Sequence, residues 1–133
     1  MRGTCLRRNY GAVIVKNDII IATGYTGSAR KDINCIDSGK CLREELKIPT
    51  GQRYEICRSV HAEMNACLQA KGIDLIDSIL YLTGTDYKTK EILPSVMPCL
   101  LCQRVIINER IRNVIIKEVS GNIKIINPAS WIK

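Results

Sequence analysis

Short apolar runs rich in β-branched residues recur along the chain, separated by polar turns. Two such runs, residues 11–16 and 19–25, lie on either side of Asn17-Asp18. This arrangement is typical of a β-hairpin. Further strands are predicted at 78–83, 113–117 and 122–126. Only about five residues separate the last two strands, too few for a parallel crossover, so we expect a second antiparallel hairpin there.

Two helices are predicted between these strands. The first begins at Ser59, whose hydroxyl is the predicted N-cap, and ends at Gly72. Its apolar positions 60, 64, 67 and 68 follow helical spacing and form one stripe. The second helix runs from Cys99 to about Glu109, and Pro98 suits its first turn. The order of elements predicts an α/β sandwich around a sheet of mixed direction.

Residues 26–58 differ from the rest of the chain because Gly, Ser, Asp, Lys and Arg dominate them. The segment is predicted to be irregular, with one or two helical turns near 42–46. Loops of about thirty residues are uncommon in compact domains unless they are functional. We therefore expect something to hold this segment together.

The chain has 133 residues, 46% hydrophobic and 25% charged, so we expect one globular domain over residues 1–133. Its net charge of +7 favours anionic partners such as phosphate-bearing substrates or nucleic acid. Phe is absent and Trp occurs once, which argues against a base-stacking platform and so against nucleic acid as the partner. The sequence shows neither a long apolar run nor the apolar core of a signal peptide. We therefore expect no membrane span, no export and a cytoplasmic location.

Seven cysteines and a single histidine, His61, are the most informative counts. Without a secretory signal, a chain this rich in cysteine is expected to bind metal or to use its thiols in catalysis. The alternative is that the cysteines are scattered small hydrophobes in the core. Cys67 falls on the apolar stripe of the first helix and is predicted to be such a core residue.

The remaining pattern is His61-Ala62-Glu63 at one helix start and Pro98-Cys99-Leu100-Leu101-Cys102 at the other. Residues three apart share a helix face, and the exposed N–H groups of a first helical turn favour thiolates. Two thiolates and one imidazole give Zn²⁺ three protein ligands and leave a fourth position for water, which is typical of a catalytic site. The alternative for His61 is a satisfied core histidine.

A zinc ion with two thiolate ligands is a weak Lewis acid because the charges sum to zero. A carboxylate beside the bound water would then be needed to move protons, and Glu63 is nearest in the sequence. Spacing alone does not bring His61 and Glu63 together, since residues two apart point to different sides of a helix. The combination H-x-E and P-C-x-x-C is, however, the signature of zinc-dependent nucleobase deaminases.

On this signature and several other stretches, the sequence resembles the cytidine/deoxycytidylate deaminase superfamily. Within it the resemblance is to the dCMP deaminase group, including late-competence-type bacterial members. The similar stretches lie between residue 5 and about residue 115: Cys5-Leu6-Arg7-Arg8, 11–15, 24–27, Asn34-Cys35, 41–44, 57–63 and 98–102.

The resemblance implies a three-layer cytidine-deaminase-like sandwich, with a five-stranded mixed sheet and helices on its faces. Family members have a helix before the first strand, but only ten residues precede Gly11 here, so that helix is expected to be missing. The resemblance makes His61, Cys99 and Cys102 the zinc ligands and Glu63 the proton shuttle. The implied reaction is hydrolysis of dCMP to dUMP, with Glu63 protonating the ring nitrogen as ammonia leaves.

Four further cysteines, at positions 5, 35, 41 and 57, bracket the long polar segment. Some dCMP deaminases carry a second, structural zinc, and Cys5 and Cys35 resemble its ligands there. We therefore expect a closed four-thiolate site formed by Cys5, Cys35, Cys41 and Cys57. The alternative is four reduced or buried thiols.

Substrate contacts are expected around the long segment. Thr26 stands where relatives often carry Asn, at the expected sugar contact. Arg30 and Arg58 are the predicted ligands of a 5′-phosphate. Arg53 and Tyr54 are candidates for binding a nucleotide effector, by similarity to allosteric family members. For each of these residues the alternative is an ordinary solvated surface position.

Two alternatives to a dCMP deaminase remain open. One is a tRNA adenosine deaminase or other base deaminase of the same fold, although the 35 residues between Tyr25 and His61 exceed the short connection typical of tRNA deaminases. The other is a non-catalytic, zinc-binding protein related to competence, although such a protein would have no use for Glu63. A homo-oligomer is expected by analogy with the family.

Overall fold

The computed structural model describes residues 3–49, 52–53 and 56–132. Seven strands are present in this part of the chain: β1 (Arg8–Lys16), β2 (Ile19–Tyr25), β3 (Gly27–Ser28), β4 (Ser59–Val60), β5 (Ile79–Asp86), β6 (Asn113–Lys117) and β7 (Ile123–Ile126). The helices are α1 (Cys35–Ser38), α2 (Leu42–Glu45), α3 (Ala62–Gln69), α4 (Gly72–Leu75) and α5 (Leu100–Asn108), followed by a 3₁₀ turn at Pro128–Trp131.

Five strands form one mixed sheet in the order β2-β1-β5-β6-β7. Strand β1 is antiparallel to both β2 and β5, β5 is parallel to β6, and β7 is antiparallel to β6. The predicted mixed sheet and its closing hairpin are therefore confirmed. The short strands β3 and β4 pair separately and bring the end of the long polar segment back beside β2.

The first hairpin turns at Asn17 and Asp18, as predicted. Both residues have positive φ values, 51° and 62°. Two-residue hairpin turns with this backbone match the right-handed twist of the strands, and Asn and Asp tolerate it better than most residues. The turn thus sets the pairing of Lys16 with Ile19, and the register of β1 and β2 then shifts by one residue between Ile14 and Val15.

The first long helix begins later than predicted. Ser59 is not its N-cap but pairs with Ser28 in the β3–β4 ladder, and His61 takes the N-cap position. The helix ends at Gln69 rather than at Gly72, which instead opens α4. The predicted apolar stripe is also partly wrong, because Leu68 is 79% exposed.

The core lies between one face of the sheet and the helices. Its sheet residues alternate along the strands, and α3, α4, α5 and loop residues such as Leu93 and Ile111 contribute the rest. The largest fully buried members include Ile14, Leu75, Leu80, Ile106, Val114 and Ile116. Cys67 belongs to this core, as predicted. Gly24 lets α3 approach β2 closely, because a Cβ at this position would overlap the backbone of Ala62 and Ala66.

The opposite face of the sheet is open within the described residues. Tyr81 is 42% exposed and Ile125 is 66% exposed on this face. Residues 3–7, which precede β1, contain no helix. The described part of the chain therefore supplies the sheet and one helical layer of the expected sandwich. None of its helices has the length and apolar character needed to cross a membrane.

Candidate metal centre and active site

Three donor side chains converge where the two long helices begin. His61 is the N-cap of α3, Cys99 is the N-cap of α5, and Cys102 lies in the first turn of α5. The His61 Nδ1 atom is 3.4 Å from Cys99 Sγ and 3.3 Å from Cys102 Sγ. Within the described residues, this is the one group of three or more His, Cys, Asp or Glu donors whose atoms all lie within 4.8 Å of one another.

The spacing of these donors fits a zinc ion. Tetrahedral bonds of about 2.0–2.3 Å to nitrogen and sulfur place the donor atoms roughly 3.5 Å apart, which is close to the observed separations. Two thiols and an imidazole are also ligand types that zinc prefers. Three protein donors leave one tetrahedral position for a water molecule or substrate.

The two thiols of the centre have opposite electrostatic properties. The pKa of Cys99 is lowered to about 4, mainly by a hydrogen bond from Cys102 and also by contact with His61, while burial acts in the opposite direction. The pKa of Cys102 is raised, first by that hydrogen bond and then by burial. One thiolate is therefore already favoured, and a bound cation would displace the remaining proton.

Glu63 lies in the same pocket as His61 and Cys99. Its side chain is buried, and burial raises the pKa of its carboxyl group. His61 is the N-cap of α3, and its backbone is extended at φ −69° and ψ 150°. Because His61 is not within the helix, the helical rotation that points residues two apart to different sides does not apply to His61 and Glu63. The spacing of His61 and Glu63 did not predict that they share one pocket. They share it because α3 begins between them, at Ala62.

The lining of the pocket is also cationic. Arg7, Arg8 and Arg43 line it, together with Tyr10 from β1. The sequence-based selection of substrate residues missed all four. The alternation of β1 was the available signal for Arg8 and Tyr10, because they follow the same face as Ala12 and Ile14.

Among the predicted substrate residues, Thr26 lines the pocket and is buried. Its Oγ1 atom accepts a hydrogen bond from the Tyr10 N–H at 3.0 Å. Arg30 and Arg58 are exposed and do not contribute to the pocket wall, and Arg58 Nη1 lies 3.7 Å from Asp32 Oδ1.

The candidate effector-binding residues give less information. Arg53 is exposed, and Tyr54 lies outside the described residues. Arg53 does not line the pocket, and the role of both residues stays a prediction.

Of the four remaining cysteines, Cys5, Cys41 and Cys57 lie near Cys35. Burial raises the pKa of the Cys35 thiol, and the charges of Cys5, Cys57 and Cys41 raise it further. Cys5, Cys41 and Cys57 also line the pocket. Their sulfurs are nevertheless more widely spaced than those of the His61 centre. All seven cysteines are free thiols.

This fold and donor set define a class of zinc-dependent deaminases. Residues 1–118 match the family described as the cytidine and deoxycytidylate deaminase zinc-binding region. The chain belongs to this family. The resemblance predicted from the sequence is thereby confirmed, as is zinc as the cofactor, and His61, Cys99 and Cys102 are positioned as a candidate site for it.

Several curated proteins are similar to the chain. The deoxycytidylate deaminase of Schizosaccharomyces pombe is 33% identical over 116 residues, covering 86% of this chain and 32% of the relative. The ComE operon protein 2 of Bacillus subtilis is 31% identical, with 86% and 50% covered. The deoxycytidylate deaminase of Mycobacterium phage D29 is 30% identical, with 86% and 81% covered.

The chain thus spans about a third to a half of the length of the first two of these relatives. Among solved structures, the apo dCMP deaminase of cyanophage S-TIM5 superposes with a TM-score of 0.51 at 23% identity, covering 81% of this chain and 64% of that one. This likeness supports the α/β deaminase fold.

Proposed function

We propose that this chain hydrolyses dCMP to dUMP and ammonia. The observation that carries the proposal is the three-donor centre of His61, Cys99 and Cys102, which leaves one zinc position open beside the buried carboxyl group of Glu63. A structural zinc site would be closed by a fourth protein ligand. Membership of the family and relatives named deoxycytidylate deaminase support the same substrate.

Different residues of the protein would have different roles in this reaction. His61, Cys99 and Cys102 would hold the ion, which when bound supplies a water acidic enough to attack at neutral pH. Glu63 accepts a proton from that water and delivers it to the ring nitrogen next to the carbon that bears the amino group. A second proton then leaves with the amino group as ammonia, so that one water is consumed for each dCMP. Thr26 is the proposed sugar contact.

A substrate panel tests this proposal. Purified protein loaded with zinc is incubated with dCMP, dCTP, cytidine, cytosine and tRNA, and ammonia release is measured. We expect the highest kcat/KM for dCMP. Preference for tRNA would support the tRNA deaminase alternative, and absence of turnover with every substrate would support the non-catalytic one; either result would contradict the proposal.

We also propose a second, structural zinc held by Cys5, Cys35, Cys41 and Cys57. Two observations support this site. Cys5, Cys41 and Cys57 lie close enough to Cys35 for their charges to raise the pKa of its thiol. The four cysteines also bracket the long polar segment, which a bound metal ion would hold together. Binding would require the sulfurs to move together from their present spacing. Elemental analysis should find about two zinc ions per chain, and about one in Cys41→Ser or Cys57→Ser. A ratio near one in the unaltered protein would contradict this site.

The assembly and setting of the protein are further proposals. By analogy with its family we propose a cytoplasmic homo-oligomer that responds to a nucleotide effector. Sedimentation velocity tests the assembly, and dCMP turnover with and without added nucleoside triphosphates tests the effector. A monomer would contradict the first property, and turnover that no nucleotide changes would contradict the second.

A further inference from the structure

The two long helices begin without an ordinary side-chain cap. The N-cap side chain of a helix commonly accepts a hydrogen bond from an N–H group of the first turn. His61 and Cys99 are the N-caps of α3 and α5, and within the described residues neither side chain forms such a bond. They contact each other instead, with His61 Nδ1 3.4 Å from Cys99 Sγ. Other contacts therefore have to hold these two donors in position.

Gln103 provides such a contact at the start of α5. Its Nε2 atom donates a hydrogen bond to the carbonyl oxygen of Pro98 at 2.9 Å. Its backbone N–H donates to the carbonyl oxygen of Cys99 at 2.8 Å. The first of these bonds orients the planar peptide group that joins Pro98 to Cys99, because the Pro98 carbonyl is part of that group. Gln103 therefore fixes the direction in which the Cys99 side chain leaves the backbone.

Asn65 makes the equivalent contacts at the start of α3. It lies four residues after the N-cap, which is the same spacing as in α5. Its Nδ2 atom donates to the carbonyl oxygens of Val60 at 3.4 Å and Tyr25 at 2.9 Å, and its backbone N–H donates to that of His61 at 3.0 Å. A side-chain amide has two N–H donors and can make both side-chain bonds. Asn65 thus ties the residue before His61 to the end of β2.

The two helices are distant in the sequence, yet each has a side-chain amide bonded to the residue that precedes its N-cap donor. Donors that are held near their bound positions lose less freedom when an ion binds, and the affinity of the site is then higher. We propose that Gln103 and Asn65 are positioning residues that hold Cys99 and His61 for the metal ion. Neither amide residue lines the pocket, so both act through the donors. This inference rests on the proposed function, because it concerns the same metal centre.

Equilibrium competition for zinc with a chelator of known affinity tests this role. Gln103→Met keeps the length of the side chain and removes its donor, and Asn65→Leu does the same in α3. The zinc that Cys102→Ala no longer binds is assigned to this centre. We expect each variant to bind this zinc about 10-fold more weakly, because outer contacts of a metal centre contribute about 10- to 100-fold to its affinity. Affinity equal to that of the unaltered protein would overturn the role of the residue replaced.

Gln69→Met is the matched control. The Oε1 atom of Gln69 accepts a hydrogen bond from the Thr23 N–H at 2.7 Å. This contact is again between a side-chain amide and the backbone, but Gln69 is the last residue of α3, about 12 Å along the helix from His61. We expect unchanged zinc affinity. Equal weakening in Gln69→Met and Gln103→Met would show a general effect of loosening a helix and would overturn the inference.

Cobalt in place of zinc gives a readout of donor position that a general loss of stability would not change. The visible absorption of bound Co²⁺ depends on the type and arrangement of its ligands. We expect the absorption bands that Cys102→Ala lacks to shift in Gln103→Met and to stay the same in Gln69→Met. Unchanged bands in both variants would overturn the positioning role.

Turnover separates this inference from the proposed function. With saturating zinc, kcat for dCMP should fall about 10-fold in Gln103→Met while KM stays unchanged, because the lining of the pocket is not altered. If dCMP is not deaminated but zinc affinity and the cobalt bands still depend on Gln103, the proposed function fails while the positioning role stands. If dCMP is deaminated and neither measurement depends on Gln103, the proposed function stands and the inference is wrong.

Discussion

Cys67 shows how burial, helped by the nearby charges of Glu109 and Glu63, changes the chemistry of a residue in this protein. It lies on α3 within the core, and burial raises the pKa of its thiol to about 11 from an ordinary value of 9.0. A protonated thiol of this kind is a poor nucleophile. Cys67 is therefore a packing residue, in contrast to Cys99 on the other helix.

The shifted pKa of Cys67 makes stability depend on pH in the alkaline range. In the unfolded chain this thiol loses its proton near pH 9, whereas in the folded protein it keeps the proton until about pH 11. Between these values deprotonation favours the unfolded state, so stability decreases as pH rises. Urea unfolding at pH 8 and 10.5 should show unaltered protein losing about 1–2 kcal/mol more than Cys67→Ala. Equal losses in the two proteins would contradict this.

The sequence predicted the donors of the candidate metal centre better than it predicted the residues that line the pocket. His61, Cys99 and Cys102 belong to helix starts, where local patterns fix both position and direction. Arg8 and Arg43 line the pocket because distant parts of the chain meet there. The course of the intervening segment depends on long-range contacts such as the hydrogen bond from Ile36 N–H to the Thr4 carbonyl, at 3.1 Å, which no local pattern encodes.

At the scale of elements, the position of α3 on β2 determines where the site lies. Gly24 in β2 faces the backbone of α3, and a Cβ there would overlap Ala62 and Ala66. We expect Gly24→Ala to push the helix away from the sheet, lowering the free energy of unfolding by about 1–3 kcal/mol. Deaminase activity should also fall, because the helix start carries His61. Urea unfolding and dCMP turnover measure the two effects.

Gly11→Ala is the control for this substitution. Gly11 lies in the neighbouring strand, and a Cβ added there would meet nothing within 4 Å. A strand residue with a side chain loses less entropy than glycine on folding, so the change should be neutral or slightly stabilising. Equal destabilisation by both substitutions would show that close helix packing is not the cause.

The main elements were predictable, but their boundaries were less so. The Asn17-Asp18 hairpin and the helix after Pro98 follow from local turn chemistry and periodicity. The start of α3 does not, because Ser59 is taken into a two-residue strand that pairs with Ser28 far back in the chain. A tertiary contact thus overrides a good local capping signal at this position.

At the scale of the whole molecule, zinc should connect the two helices that carry its ligands. An ion bound only by the folded state stabilises it in proportion to its affinity and concentration. We expect chelation to lower the Tm of the unaltered protein by roughly 10 °C. In Cys102→Ala the decrease in Tm on chelation should be clearly smaller. Any decrease that remains would come from loss of the proposed second zinc. Identical shifts in both proteins would place the stabilising ion elsewhere.

The most direct test of the account is dCMP turnover by Glu63→Gln at matched zinc content. Glu63 is not a metal ligand in this account, so zinc per chain should equal that of the unaltered protein. Turnover should fall about 10²- to 10⁴-fold, because the amide cannot carry a proton from water to the ring. Glu91→Gln, at an exposed position, should leave turnover unchanged. Turnover by Glu63→Gln equal to that of the unaltered protein would contradict the proposed mechanism.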